Sequence, residues 1–330
     1  KIKIYKNKDV KKDFLKGKVI GIIGYGNQGK AQALNLRDSG LNVIIGLRNG
    51  SLRKKDAKSE GFEIHTIDKL IEMSDIVSFL IPDEQIPDLF SNLKLKEGQS
   101  ILFSHGYVVH FKEIKLPNFV NVLLVAPSGS GKMVREQYIK GSGVPSLIAV
   151  EQDFSGSAFD IALCYSKALG STRVGSFLST FSEETITDIF GEQAVLTGSI
   201  PSIIKESFNV LLESGYTPEI AWLVCYYEVK SIIDSFHQNG FDFLNNTISN
   251  LAEYGGATRG KRIIDENVKI KMRNILKEIE DGSFKKEWEK EKEGDYKFLY
   301  ENRNLVKESE IEKTTKEMLG LLKNRKKKNK

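Results

Sequence analysis

Three groups of residues have the types and spacing to do chemistry. In the first, Gly24-Tyr25-Gly26-Asn27-Gln28-Gly29, the glycines are spaced as in a phosphate cradle. Gly24 permits a tight turn, Gly26 lets a pyrophosphate approach the backbone, and Gly29 lets a following helix pack on the preceding strand. The N-terminus of that helix then faces the phosphates. The second group lies downstream in Gly46-Leu47-Arg48-Asn49-Gly50-Ser51-Leu52-Arg53. An NAD site usually carries Asp or Glu here for the ribose 2′-hydroxyl. This stretch has no acid before Asp56, and it offers Arg48, Ser51 and Arg53 to a 2′-phosphate. The pattern favours NADP(H) over NAD. The third group is Asp188 and Glu192, four residues apart and on one face if the segment is helical. Two adjacent like charges are unfavourable unless a cation or a base lies between them, and hard oxygen donors suit Mg²⁺. A solvated acidic face is the alternative reading of that spacing.

One glycine-rich stretch carries less than it promises. Ala126-Pro127-Ser128-Gly129-Ser130-Gly131-Lys132-Met133 resembles a triphosphate-binding loop. Ala126 stands where the first glycine belongs, and Met133 where Ser or Thr would hold Mg²⁺. A nucleotide triphosphatase is therefore excluded.

The elements that must position these groups read as α/β, then all-α. Apolar runs at 18–23, 43–47, 76–81, 100–103 and 120–125 predict strands, with helical stretches such as 29–38 and 67–73 between them. Such alternation predicts a Rossmann-type, doubly wound parallel sheet. A further strand at 146–149 and a helix at 158–169 complete it. Beyond 182 the period is helical, over 183–190, 203–214, 218–234, 242–254 and 266–279, with Pro218 suited to a first turn. The expected domains are 1–182 for the dinucleotide and 183–330 for an all-α unit, ending in a disordered basic tail near 323–330.

Composition limits the rest. Of the 330 residues, 40% are hydrophobic and 28% charged, which is ordinary for a globular protein with two cores. No apolar run approaches the roughly 18–20 residues that a membrane span needs. Residues 1–12 lack the apolar segment of a secretory signal. The two cysteines, Cys164 and Cys225, form no metal-ligand spacing or disulfide framework, which points to a cytoplasmic protein. The net charge of +5 is concentrated in the tail without interleaved aromatics, so no nucleic-acid partner is expected. His65, His110 and His237 read as packing or surface residues.

Several motifs in register carry a more specific resemblance. The cradle at 24–29, Asn35-Leu36-Arg37-Asp38-Ser39-Gly40, Ile81-Pro82-Asp83-Glu84 and Ser104-His105-Gly106 resemble the short, class I ketol-acid reductoisomerases. Gly143-Val144-Pro145, Asp188-Ile189-Phe190-Gly191-Glu192-Gln193 and 249–255 are similar as well, so the likeness runs from about residue 2 to 290. The resemblance implies a Mg²⁺-dependent alkyl migration in a 2-hydroxy-3-keto acid, followed by hydride reduction from NADPH, in branched-chain amino acid (valine, isoleucine) synthesis. It implies one or two Mg²⁺ ions on Asp188 and Glu192, with Glu228 reaching the site from a partner subunit. Ser249 becomes a substrate-binding hydroxyl from that partner, and His105 the histidine beside the nicotinamide. Asp83 and Gly131, in the matching motifs, go with the cofactor. The helical domain is implied to be knotted and interlocked in a homodimer or higher homo-oligomer.

The sequence departs from that family at two positions. The family has an active-site lysine where this chain has Ser128, and a carboxylate where it has Val224. Lys132, four residues beyond Ser128, is the candidate to supply the missing ammonium as a catalytic group. Two other readings follow from these departures: a 2-keto acid reductase without isomerase activity, or a non-catalytic NADP-binding subunit.

Overall fold

The structure is a computed structural model that describes residues 2–328, with side chains described to residue 323. Two compact units divide between Thr185 and Ile186.

The first unit is built on a nine-stranded sheet among the described residues. Its strands are β1 (Ile4–Tyr5), β2 (Val19–Ile23), β3 (Asn42–Gly46), β4 (Glu63–His65), β5 (Ile76–Phe79), β6 (Ser100–Phe103), β7 (Asn121–Pro127), β8 (Ser146–Gln152) and β9 (Ser176–Leu178). Helices α1 (Asn27–Asp38), α2 (Arg53–Ser59), α3 (Ile67–Met73), α4 (Ile86–Phe90), α5 (Tyr107–His110), α6 (Gly131–Ile139) and α7 (Ala158–Leu169) connect them, and α8 (Phe181–Gly191) leads into the second unit. β5 and β6 are buried at every position, as strands covered on both faces must be. The core gathers Ile20, Ile22, Leu36, Ile45, Leu123 and Tyr165 between sheet and helices.

The strand order is β1-β9-β8-β7-β6-β5-β2-β3-β4. The chain goes from β2 outward through β3 and β4, then returns to β5 on the other side of β2. Open α/β sheets bind ligands beyond the strand C-termini at such a reversal. The cradle at 24–29 follows directly from β2 there.

The sheet is mixed, not wholly parallel as expected. β8 runs antiparallel to β7, with Pro127 opposite Ser146, and β1 runs antiparallel to β9. After α6 the chain returns to the end of β7 that it left, where Ser128 N donates to Pro145 O at 2.8 Å. Apolar runs mark strands without marking their direction, so this return was invisible in the pattern.

The second unit is helical: α9 (Ser199–Glu213), α10 (Pro218–Trp222), α11 (Val229–Asn239), α12 (Phe241–Thr247), α13 (Asn250–Ile263), α14 (Glu266–Glu280), α15 (Ser283–Glu293), α16 (Lys297–Glu308) and α17 (Glu310–Lys328). Phe208, Ala221 and Trp222 form its small core, and Trp222 Nε1 donates to Thr315 Oγ1 of α17 at 2.9 Å. Two expected helices are interrupted. The segment 218–234 contains a π-helical turn (Leu223–Tyr227) between α10 and α11. The segment 242–254 breaks at Ile248, which is extended, and restarts because Ser249 caps α13 by accepting from Ala252 N at 3.2 Å. The expected tail at 323–330 begins inside α17, and its last two residues lie outside the described residues. Among the described residues no helix is long and apolar enough to cross a membrane.

Candidate active site

The three glycines of the cradle do three different things. Gly24 has φ +98°, and a Cβ there would lie 2.5 Å from Leu80 O. At Gly29 a Cβ would lie 2.7 Å from Gly24 O, so the missing side chain lets α1 close onto the turn. Gly26, the N-cap of α1, has nothing within 4 Å of its would-be Cβ. Space is therefore open in front of the first α1 amides, which lack intrahelical acceptors and carry the positive end of the helix dipole. Gly131 seals the other side, since a Cβ there would come 2.1 Å from Asn27 O. Tyr25 is turned inward and packs edge-on against Phe62. Its hydroxyl is buried with no hydrogen-bond partner among the described residues, and burial pushes its pKa up to about 12, with the charge of Glu60 adding to the effect.

A cleft of about 220 Å³ opens beside the cradle, lined in part by Gly26, Lys30, Arg53, Asp56, Lys132 and Arg135. Two of its cations are already committed. Lys30 bonds Glu60 at 2.7 Å and holds that carboxyl below its usual range. Arg135 bonds Asp38 at 2.6 Å; burial pushes the Asp38 carboxyl up, but Arg135 and Arg37 outweigh it and the net shift is downward. Among the described residues, the ion-pair partners of Arg53 and Lys132 are long and exposed, Asp56 at 3.6 Å and Glu136 at 3.8 Å. Pairs of that kind contribute about 0–1 kcal/mol and exchange readily for a better anion. Arg48 and Ser51 sit on the neighbouring loop outside the lining, where Ser51 Oγ accepts from Arg53 N at 3.3 Å.

A second loop, Ser104-His105-Gly106, leaves the end of β6. His105 Nδ1 meets Asp83 Oδ2 at 2.6 Å, both half-buried. A carboxylate there fixes the imidazole orientation and its tautomer. Asp83, assigned by resemblance to the cofactor, thus has its carboxylate on His105. Gly106 N donates to Glu184 Oε2 at 2.7 Å. A Cβ at Gly106 would lie 2.5 Å from Thr185 Oγ1 and 2.8 Å from Phe181 O, so only glycine lets this loop lie against α8.

Glu184 was missed by the sequence reading, although 184, 188 and 192 form one four-residue ladder. It is buried, whereas Asp188 is exposed. Donor atoms of Glu184 lie within 4.8 Å of those of His105, and within 4.8 Å of those of Asp188 one turn further along the helix. Glu192 begins a π-helical turn (Glu192–Leu196). In the second unit Glu228 directly follows the other π turn, in which Val224 is half exposed. Single π turns inside α-helices frequently occur at functional sites because they re-aim side chains. Ser249 is exposed, and its hydroxyl serves as the α13 cap.

Residues 14–175 match the domain described as "Acetohydroxy acid isomeroreductase, NADPH-binding domain", and residues 181–324 match "Ketol-acid reductoisomerase, C-terminal domain". The chain belongs to the ketol-acid reductoisomerase family of enzymes. It is 47% identical over 320 residues to the ketol-acid reductoisomerase (NADP(+)) of Methanocaldococcus jannaschii, covering 96% of this chain and 97% of that one. Identity to the Methanococcus maripaludis ketol-acid reductoisomerase (NADP(+)) is 45% over 326 residues, covering 97% and 99%. Among solved structures, an NADH-preferring ketol-acid reductoisomerase from an uncultured archaeon superposes with a TM-score of 0.94 at 41% identity, covering 97% and 99%.

Proposed function

We propose that this protein converts a 2-hydroxy-3-keto acid of the acetolactate type by Mg²⁺-dependent alkyl migration and NADPH reduction, in branched-chain amino acid synthesis in the cytoplasm. The observation that carries the reading is the open approach at Gly26, with the free α1 amides in front and Arg53 and Lys132 beside it. The amides would take the pyrophosphate, and the two cations the 2′-phosphate, worth about 1.5–3 kcal/mol for a charge-assisted contact. On this reading Lys132 serves the cofactor and not the migrating group. NADP dependence of the relatives supports the choice, while Asp56 in the same cleft supplies an acid that would suit a ribose hydroxyl.

Asp188, Glu192 and Glu228 are the carboxylates proposed to hold Mg²⁺. Their hard oxygen donors fit the ion, and the closeness of Glu184 and Asp188 makes the α8 face favourable for a cation. Bound there, Mg²⁺ would polarise the hydroxyl and carbonyl oxygens of the substrate. His105, held by Asp83, would orient a proton-carrying ring nitrogen beside the nicotinamide, and Ser249 would bind substrate.

A homodimer completes the proposal. The second unit exposes many large apolar side chains, among them Tyr227, Phe241, Tyr254, Phe298 and Leu251, the last 82% exposed. Apolar side chains of that size are the kind that association surfaces gather and bury. A second copy supplying Glu228 and Ser249 would cover them, in the knotted and interlocked arrangement that the family resemblance implies.

Ser128 and Val224 favour a second reading, reduction without isomerisation. Ser128 is exposed at the end of β7, and apolar Val224 cannot hold Mg²⁺ or its water. Following NADPH oxidation with 2-acetolactate and, separately, with 3-hydroxy-3-methyl-2-oxobutanoate decides between them. Turnover of both supports isomeroreduction, and turnover of the second alone supports the reductase. Tight NADPH binding with neither active indicates a non-catalytic subunit.

A further inference from the structure

Inside the first unit, side-chain hydrogen bonds form a directed chain that branches at one residue. Ser78 Oγ donates to Tyr165 Oη at 2.9 Å, and Tyr165 Oη donates to Gln32 Oε1 at 3.1 Å. Gln32 Nε2 then donates twice, to Gln28 Oε1 at 3.2 Å and to Ser104 Oγ at 3.0 Å. Gln28 Nε2 continues to Gly129 O at 2.8 Å, and Ser104 Oγ to Val125 O at 3.0 Å. Every donor in the chain finds an acceptor, with no reversal of direction. Ser78, Tyr165 and Gln32 are completely buried.

The two branches end on different working parts. Gln28 belongs to the phosphate cradle, and Gly129 to the loop that places Gly131 and Lys132 at the cleft. Ser104 precedes His105. An amide is the side chain suited to the branch, since it accepts at one atom and donates twice from the other. Tyr165 sets which way the amide faces by occupying its oxygen. Burial raises the Tyr165 phenol well above its ordinary pKa, so the proton it donates is retained at all working pH values.

We propose that Gln32 is a positioning residue that couples the cofactor-phosphate loops to the His105 loop, so that seating the dinucleotide sets the placement of His105. The proposal rests on the dinucleotide reading above. Gln28 and Ser104 communicate through Gln32, so their coupling should depend on it, whereas a merely structural role for Gln32 would leave that coupling alone. Buried networks of this kind are apportioned only by double-mutant cycles.

The test measures the NADPH dissociation constant by fluorescence on the full chain for wild type, Gln28→Met, Ser104→Ala and the double variant, then repeats the cycle in a Gln32→Met background. The expected result is non-additivity of about threefold or more with Gln32 present, and none with Gln32→Met. Kinetically, Gln28→Met should act mainly on KM for NADPH, and Ser104→Ala mainly on kcat, with Ser104→Thr restoring it. If Gln32→Met does not fold, Tyr165→Phe replaces it and should at least halve the coupling. An additive cycle in the natural background overturns the proposal, as does a coupling that survives Gln32→Met or Tyr165→Phe. A natural protein that binds neither NADPH nor NADH instead overturns the dinucleotide reading.

Discussion

Replacing each of the three cradle glycines by alanine should separate folding from cofactor binding. At Gly24 the backbone is left-handed, which costs an L residue about 1–2 kcal/mol, and the new methyl would meet Leu80 O at 2.5 Å. At Gly29 the methyl would meet Gly24 O at 2.7 Å; backbone on both sides must move, at a typical overpacking cost of about 1–3 kcal/mol. Both variants should therefore melt lower, with or without cofactor. Gly26 is different: its φ of −80° and ψ of −158° suit alanine, and among the described residues nothing beyond its own chain neighbours lies within 4 Å of the added carbon. Two small terms nearly cancel there. Alanine is the poorer N-cap by up to about 1 kcal/mol, while the unfolded chain loses entropy worth about 0.4–1 kcal/mol. Gly26→Ala should consequently unfold close to wild type in a thermal melt. If pyrophosphate passes against that Cα, the same methyl occupies its path, and calorimetry should show NADPH affinity falling at least tenfold. A Gly26→Ala protein that binds NADPH as tightly as wild type would refute the placement of the phosphates. One that fails to fold would refute the claim that the space is empty for a ligand.

Four further outcomes are expected. Arg53→Ala should weaken NADPH about tenfold while leaving NADH within about twofold, because a charge-assisted phosphate contact is lost; equal losses would exclude a 2′-phosphate contact. Asp188→Asn should abolish the Mg²⁺ dependence of activity and Val224→Glu should tighten a second Mg²⁺, whereas two equally tight ions in the natural protein would contradict the reading of Val224. Ser128→Lys should raise isomeroreduction of 2-acetolactate selectively, by up to about 10²-fold if the lysine acts as an acid–base group; a similar rise in reduction of the pre-isomerised keto acid would argue against that role. The raised Tyr25 pKa predicts an alkaline loss of stability: the unfolded chain gives up this proton near pH 10 and the folded chain only near 12. Stability should fall as pH rises across that window, at up to about 1.4 kcal/mol per pH unit, and Tyr25→Phe should remove this component in denaturant melts.

Much of the first unit was legible because its signals are local. The run from 18 to 23 followed by spaced glycines specified a strand, a turn and a helix, and β2, Gly24 and α1 are found there. Helix 67–73 was read from its pattern with its ends in place, and Thr66 caps it there, accepting from Lys69 N. What stayed hidden depends on partners distant in sequence. β1 and β9 are two and three residues long and exist by pairing with each other and with β8, so neither has enough alternation to register. The antiparallel β8 follows from where α6 sends the chain, and hydropathy carries no arrow.

The site shows the same division at finer scale. Gly24, Gly26 and Gly29 could be given separate roles from spacing alone, because a single local turn sets all three. Glu184 could not, even though its spacing to Asp188 matches that of Asp188 to Glu192. Glu184 and its neighbour Glu183 are chemically the same, yet 183 is exposed and 184 is buried on the Gly106 amide. What separates them is a loop about 80 residues earlier that carries a glycine where any side chain would strike α8. The burial of Glu184 is thus written at Gly106, and the sequence showed Gly106 only as part of a motif. The π turns at Glu192 and ahead of Glu228 were hidden for a related reason. Each shifts the helical register, so a count of four along the chain gives the face on which a carboxylate starts, while the register shift decides where it points.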